Sequence, residues 1–231
     1  MLYRLLDRPW VYRLQRAVLA PGNARAFNAK FRDLLTRLPS AQRVLDVGCG
    51  PASWLFDSGL HPLGIDVSLS YMREYRSRGE RAAVGSADAL PFAAGSWDGV
   101  WSIGVLHHLP DAVAVAAIAE MLRVCRPGGY AVVLDAVMPR RAWLRPLAYV
   151  IRRLDRGRFV RSEDALRRLF PPHMAWQFDR FTFAWTGLEA VVGWARVGHN
   201  VVLRTGSTPS PASLAGEGGG EGSEMRRGSD E

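Results

Sequence analysis

Three carboxylates and a histidine pair stand at intervals where chemistry could be done: Asp46, Asp66, Asp88, His107 and His108. Asp46 lies in the run Arg43-Val44-Leu45-Asp46-Val47-Gly48-Cys49-Gly50-Pro51-Ala52. Val44, Leu45 and Val47 are apolar, and such a run ending at glycine reads as a strand buried on both faces. Gly48 and Gly50 let the backbone turn and let a ligand come close. A tight turn without a ligand has the same pattern, so Gly-x-Gly alone says little. A carboxylate two positions before the first glycine suits a cationic ligand better than a pyrophosphate. The dinucleotide fingerprint would also need glycine at position 53, where Ser53 stands.

Asp66 follows Asp46 by 20 residues, at the end of a second short strand from His61 to Ile65. That spacing is one strand-helix-strand unit. A carboxylate there offers two acceptor oxygens to the two hydroxyls of a ribose. Asp88 comes 22 residues later; alone it reads as a solvated loop acid, and in this series it fits a nucleoside site. His107 and His108 follow the apolar run Val100 to Val105, where a substrate would meet the ligand. Imidazole titrates near neutral pH and can take a proton from a weakly acidic hydroxyl. Either histidine could instead hold the loop.

The elements that must position these groups alternate between strand and helix. Pro51 suits the first position of a helix continuing through Ser53 to Phe56. Ser68 reads as a helix N-cap, Gly79 as that helix's end, and Arg81 to Gly85 as a third strand. Asp111 reads as the cap of a helix from Ala112 to Val124, with Ile118, Met121, Leu122 and Cys125 on its buried face. Pro127-Gly128-Gly129 turns the chain into a fifth strand, Tyr130 to Leu134, which ends at Asp135. Residues 138–172 interleave arginines with apolar residues and read as one or two helices, then a helix from Ser162 to Phe170. Trp176 to Trp185 and Leu188 to Val197 read as a hairpin, which Val201 to Leu203 would extend.

The expected organisation is a helical cap over 1–38, a domain over 39–204 with a covering insertion near 138–172, and a disordered tail over 205–231. The cap would be two helical pieces split by Pro21-Gly22-Asn23, the second with Phe27, Phe31, Leu34, Leu35 and Leu38 facing the core.

Asp46-Val47-Gly48-Cys49-Gly50 resembles the first motif of the class I S-adenosylmethionine-dependent methyltransferases, in the small-molecule (type 11) branch around the ubiquinone and menaquinone enzymes. Ala52 departs from that motif, where a third glycine is common. Gly85-Ser86-Ala87-Asp88-Ala89-Leu90-Pro91-Phe92 with Trp97-Asp98-Gly99-Val100, and Leu122-Arg123-Val124-Cys125-Arg126-Pro127-Gly128-Gly129, resemble two further blocks in register. The resemblance implies an α/β, Rossmann-like fold: a seven-stranded, mostly parallel sheet with an antiparallel last strand and helices on both faces. It implies S-adenosyl-L-methionine as cofactor, held at Asp46, Gly48, Cys49, Gly50, Asp66, Val67, Asp88, Ala89 and Ile103, with Asp88 receiving the adenine amino group. It places His107 and His108 as candidate bases and implies no metal.

Cys49 and Cys125 lie far apart and read as free thiols in a reducing, cytoplasmic setting. The net charge of +8 is carried almost wholly by arginine, since Lys30 is the only lysine. Residues 1–20 break their apolar run with four arginines, which argues against a signal peptide or a span. The expected acceptor is a small lipid-like or quinone-like molecule methylated on oxygen or carbon, with peripheral contact to an anionic membrane. Nucleic acid is not expected as a partner, because no Asn-Pro-Pro-Tyr-type motif, catalytic Pro-Cys pair or RNA-binding module is seen. The alternatives are a non-catalytic cofactor-binding subunit and an RNA methyltransferase.

Overall fold

In the computed structural model, residues 23–153, 158–183 and 186–198 are described. The expected helical piece within 1–20, the extension Val201 to Leu203 and the tail 205–231 lie outside them. The elements run α1 (Asn23–Arg37), β1 (Val44–Val47), β2 (Leu63–Asp66), α2 (Leu69–Ser77), β3 (Ala82–Val84) and β4 (Trp97–Ile103). They continue with α3 (Asp111–Val124), β5 (Cys125–Val137), α4 (Pro146–Arg153), α5 (Glu163–Arg167), β6 (Gln177–Thr182) and β7 (Glu189–Arg196).

The sheet has seven strands in the order β3-β2-β1-β4-β5-β7-β6. β1 to β5 pair in parallel, while β7 lies antiparallel to β5 and to β6. This is the expected sheet, closed at one side by the hairpin. β1 and β4 are buried along their whole length, because helices cover both faces. On one face Ile118, Met121 and Leu122 of α3 pack with Leu45, Val100, Ala131 and Val133. On the other, Phe27, Phe31 and Leu34 of α1 pack with Trp101, Val132, Leu134 and Val192. Successive β5 residues thus serve opposite faces, the period-two alternation of a strand. Between the layers, Asp98 accepts from the Gln42 and Arg43 amides at 3.0 and 2.8 Å and from Arg126 Nε at 2.7 Å. Burial opposes its ionisation, but these donors prevail and hold it down to about 2.

Two local expectations are corrected. Residues 53–56 form no α-helix; the chain makes turns and one short 3-10 helix, Phe56–Ser58. Ser53 spends its hydroxyl on Asp46 at 2.6 Å and on the Leu55 amide at 3.1 Å, which holds the chain in a turn. Asp111 does not cap α3. Pro110 is the N-cap, without a side-chain cap bond, and the Asp111 carboxylate accepts instead from Arg161.

Candidate active site at the carboxyl edge of the sheet

The glycine turn sits where β1 leaves the sheet. Its Gly48 amide donates to the Ile65 carbonyl at 2.7 Å, so β2 fixes the turn. Gly48 has φ +72 and Gly50 φ +63, backbone angles that L side chains rarely adopt. A Cβ on Gly48 would lie 2.3 Å from Val105 Cγ2. The glycine is thus required by its neighbour in the loop after β4 as well as by any ligand. Gly48→Ala is expected to destabilise the protein by about 1–3 kcal/mol through overpacking. Val105→Ala in the same chain should return part of that loss, as read by urea unfolding.

Asp66 is tied into the turn: Oδ2 accepts from the Gly50 amide at 3.1 Å and Oδ1 from the Ser68 amide at 2.9 Å. Ser68 caps α2 as expected, through the Tyr71 amide. A carboxylate has about four lone-pair sites, which lets one side chain serve backbone amides and a diol together. Cys49 packs in a small core with Met72 and Tyr75, leaving its backbone at the turn. Val67 is 70% exposed on the rim beside Asp66. Asp88 is half-buried and accepts from the Ser86 hydroxyl, with Ala89 exposed next to it. Ile103 sits in the core cluster under α1.

Asp46 is 1% exposed. Its Oδ2 accepts from Ser53, while Oδ1 is buried with no partner among the described residues. Burial pushes this carboxyl up to about 7, against the Ser53 bond and with help from Asp66. An orphaned buried carboxylate oxygen beside a glycine turn fits a cationic group such as the ammonium or sulfonium of S-adenosylmethionine. The pKa is raised in the folded protein, so ionising Asp46 costs stability as pH climbs from its unfolded value near 4 to about 7. A bound cation prefers the ionised form. Cofactor affinity is therefore expected to rise with pH up to about 7 and then level, and Asp46→Asn should flatten that rise. Calorimetric titrations at pH values on either side check it.

The histidines divide. His107 is buried and His108 exposed, with their rings 4.1 Å apart. Asp135, at the end of β5, accepts from the His107 backbone amide at 2.9 Å and bonds His107 Nδ1 at 2.5 Å. Burial alone would raise the Asp135 carboxyl, but the His107 charge and hydrogen bonds bring it below the ordinary range. Its partner lies 28 residues away, so sequence reasoning placed Asp135 at a strand end without giving it a role. The available signal was that Asp46, Asp66 and Asp135 all stand near carboxyl ends of strands.

Arg161, also missed, is buried over the histidine loop. It donates to the carbonyls of Leu106 at 2.7 Å, Leu109 at 2.6 Å and Phe159 at 3.1 Å, and to Asp111 at 2.8 Å. The Phe159 amide donates to the His107 carbonyl at 3.0 Å, so the insertion after β5 straps the loop in place.

Residues 45–133 match the methyltransferase domain family. The fold is that of the class I S-adenosylmethionine-dependent methyltransferases, and the family match supports S-adenosylmethionine as the cofactor. A Thermotoga maritima methyltransferase structure, described as a possible histamine N-methyltransferase, superposes with TM-score 0.59 at 17% identity, over 85% of this chain and 100% of that one. The tRNA (carboxymethyluridine(34)-5-O)-methyltransferase ALKBH8 of Macaca fascicularis is 39% identical over 103 residues, 44% of this chain and 16% of that protein. The demethylmenaquinone methyltransferase of Beutenbergia cavernae is 37% identical over 134 residues, 55% of this chain and 54% of that protein. The chain thus spans a minor part of the first relative and about half of the second.

These relatives correct the expectation on partners. The match to a tRNA methyltransferase, at 39% identity beside 37% for the quinone enzyme, overturns the argument against a nucleic-acid acceptor. Missing motifs were a poor guide because they belong to base-amino and ring-carbon chemistry, and transfer to a nucleoside's side-chain oxygen requires neither. Among the described residues, no helix is long and apolar enough to cross a membrane.

Proposed function

We propose that the chain transfers a methyl group from S-adenosylmethionine to an oxygen of an RNA acceptor. The observation that supports this reading best is the similarity of 103 residues of the chain to a tRNA methyltransferase. The formal charge of +8, concentrated in arginine, suits a phosphate backbone. Fold alone does not choose the acceptor.

In this reading Asp66 takes the ribose hydroxyls, Asp46 faces the positive end of the cofactor, and Asp88 receives the adenine amino group. Bound there, S-adenosylmethionine supplies the electrophilic methyl. The protein positions the acceptor oxygen in line and excludes water. His107 is the general base for a hydroxyl acceptor: Asp135 holds a proton on Nδ1, which leaves Nε2 as the basic nitrogen. A carboxylate acceptor is already ionised near neutral pH and requires only positioning.

A second reading, a small apolar acceptor, is favoured by the exposed Trp143, Leu144 and Leu147 of the insertion and by the quinone-enzyme relative. Methyl-tritiated cofactor, incubated with total tRNA and separately with a lipid extract, distinguishes them. Label that ribonuclease releases supports RNA. Label confined to the organic phase refutes it in favour of the second reading. Cofactor binding without transfer to either pool speaks for a non-catalytic subunit.

A further inference from the structure

β7 begins at Glu189, which pairs with Val137 just beyond Asp135 on β5. Around these strand ends lies a cavity of about 360 Å³, lined by Arg140, Arg141, Leu144, Arg145, Arg180 and Glu189. Two glutamates, each 5% exposed, organise its walls. Glu163 Oε1 accepts from Arg167 at 2.6 Å, and Oε2 from Arg140 and Arg180 at 2.7 Å. Glu189 Oε1 accepts from Arg145 at 2.7 Å, and Oε2 from Arg180.

The charges do not balance. Among the described residues, five guanidiniums, Arg140, Arg141, Arg145, Arg167 and Arg180, stand with two carboxylates, Glu163 and Glu189, an excess of three positive charges. Each guanidinium carries five N–H donors, and every glutamate oxygen here already accepts at least one bond. Thr182 Oγ1 and the Gly187 and Met138 carbonyls take further donors from Arg145 and Arg180, and the guanidiniums still carry more N–H groups than these acceptors engage. The Glu163 carboxyl is held down to about 2: burial opposes this, and hydrogen bonds from Arg180, Arg167 and Arg140 outweigh it. The carboxylates stay ionised and splint the arginines in a fixed array. Arginine forks suit the paired oxygens of a phosphate better than a lone charge does.

We propose that this cavity is a phosphate-binding subsite, seating a phosphate of the acceptor while the atom to be methylated lies at His107. The loop carrying His107 follows β4, and the cavity opens at β7, two strands away and on the same edge. Two strand spacings are about 10 Å within the sheet. The assignment of the phosphate to an RNA backbone rests on the reading above; a phosphorylated small acceptor would present the same group.

The test uses the full chain and two single variants, Arg141→Glu and Arg145→Gln. Arg141 is exposed and holds neither glutamate, so reversing its charge should leave folding and cofactor affinity intact. Pyrophosphate is titrated by calorimetry, and total tRNA by filter binding across a salt series, with Arg81→Glu on the far side of the sheet as a control. Each cavity variant is expected to weaken pyrophosphate binding at least tenfold and tRNA binding to a similar degree, with a shallower salt slope. The control should match the wild type. Pyrophosphate binding that both cavity variants lose, without any tRNA binding, keeps the subsite and refutes RNA as the acceptor. Wild-type pyrophosphate binding in both variants, or none in the wild type, overturns the subsite.

Discussion

Asp66→Ala is expected to lower cofactor affinity at least a hundredfold. The carboxylate would lose its bonds to the ribose hydroxyls, each about 1.5–3 kcal/mol for a charged acceptor. It would also release the Gly50 and Ser68 amides that its two oxygens now hold. The glycine turn and the start of α2 are braced by this one side chain, so ligand contact and preorganisation fail together. Asp66→Asn separates the two effects. Its single carbonyl oxygen can brace one amide and accept from one hydroxyl, and the loss should fall between those of wild type and Asp66→Ala. Calorimetry with circular dichroism on both variants measures this. Wild-type affinity in folded Asp66→Ala would place the ribose elsewhere.

The part of this architecture that could be read in the sequence is the part governed by local pattern. β1, β4 and β5 stand out because strands covered on both faces are continuously apolar, and α3 because Ile118, Met121 and Leu122 recur at helical spacing. The carboxylates at strand ends were visible for the same reason, as breaks in those runs. What failed depended on distant partners. Ser53 looked like a helix residue until Asp46, seven positions earlier, was seen to claim its hydroxyl. Asp111 has the residue type of a cap, yet Arg161 comes from 50 residues away to take it. The arginines of 138–172 read in the sequence only as charges interleaved with apolar residues along helices. Glu163 and Glu189 gather several of them round a cavity, and nothing in the local spacing marks those two acids as partners.

His107→Gln is expected to reduce turnover on a hydroxyl acceptor by about 10²–10⁴-fold, the usual contribution of a positioned base. Cofactor affinity should stay near that of the wild type, since Asp46, Asp66 and Asp88, proposed to hold the cofactor, stand on β1, at the end of β2 and in the loop after β3. The pH profile of turnover should lose the acid limb that a basic imidazole imposes. Asp135→Asn tests the same dyad from the other side. It leaves His107 in place but removes the acceptor that holds the proton on Nδ1, and it weakens the grip on the His107 and Ala136 amides. A hydrogen bond to a buried charged group contributes about 1.5–3 kcal/mol, so this variant should also unfold at lower urea. The Asp135 pKa is lowered by folding. The stability it contributes is therefore present above the unfolded carboxylate value near 4 and is lost as pH falls below it. The difference in unfolding free energy between wild type and Asp135→Asn should thus shrink in acid. A carboxylate acceptor changes the expected outcome for catalysis alone. It carries no proton to remove, so His107→Gln would retain most of its rate while Asp135→Asn kept its stability defect. Full turnover on a hydroxyl acceptor in His107→Gln, with an unchanged pH profile, would reduce the dyad to an anchor for the loop after β4.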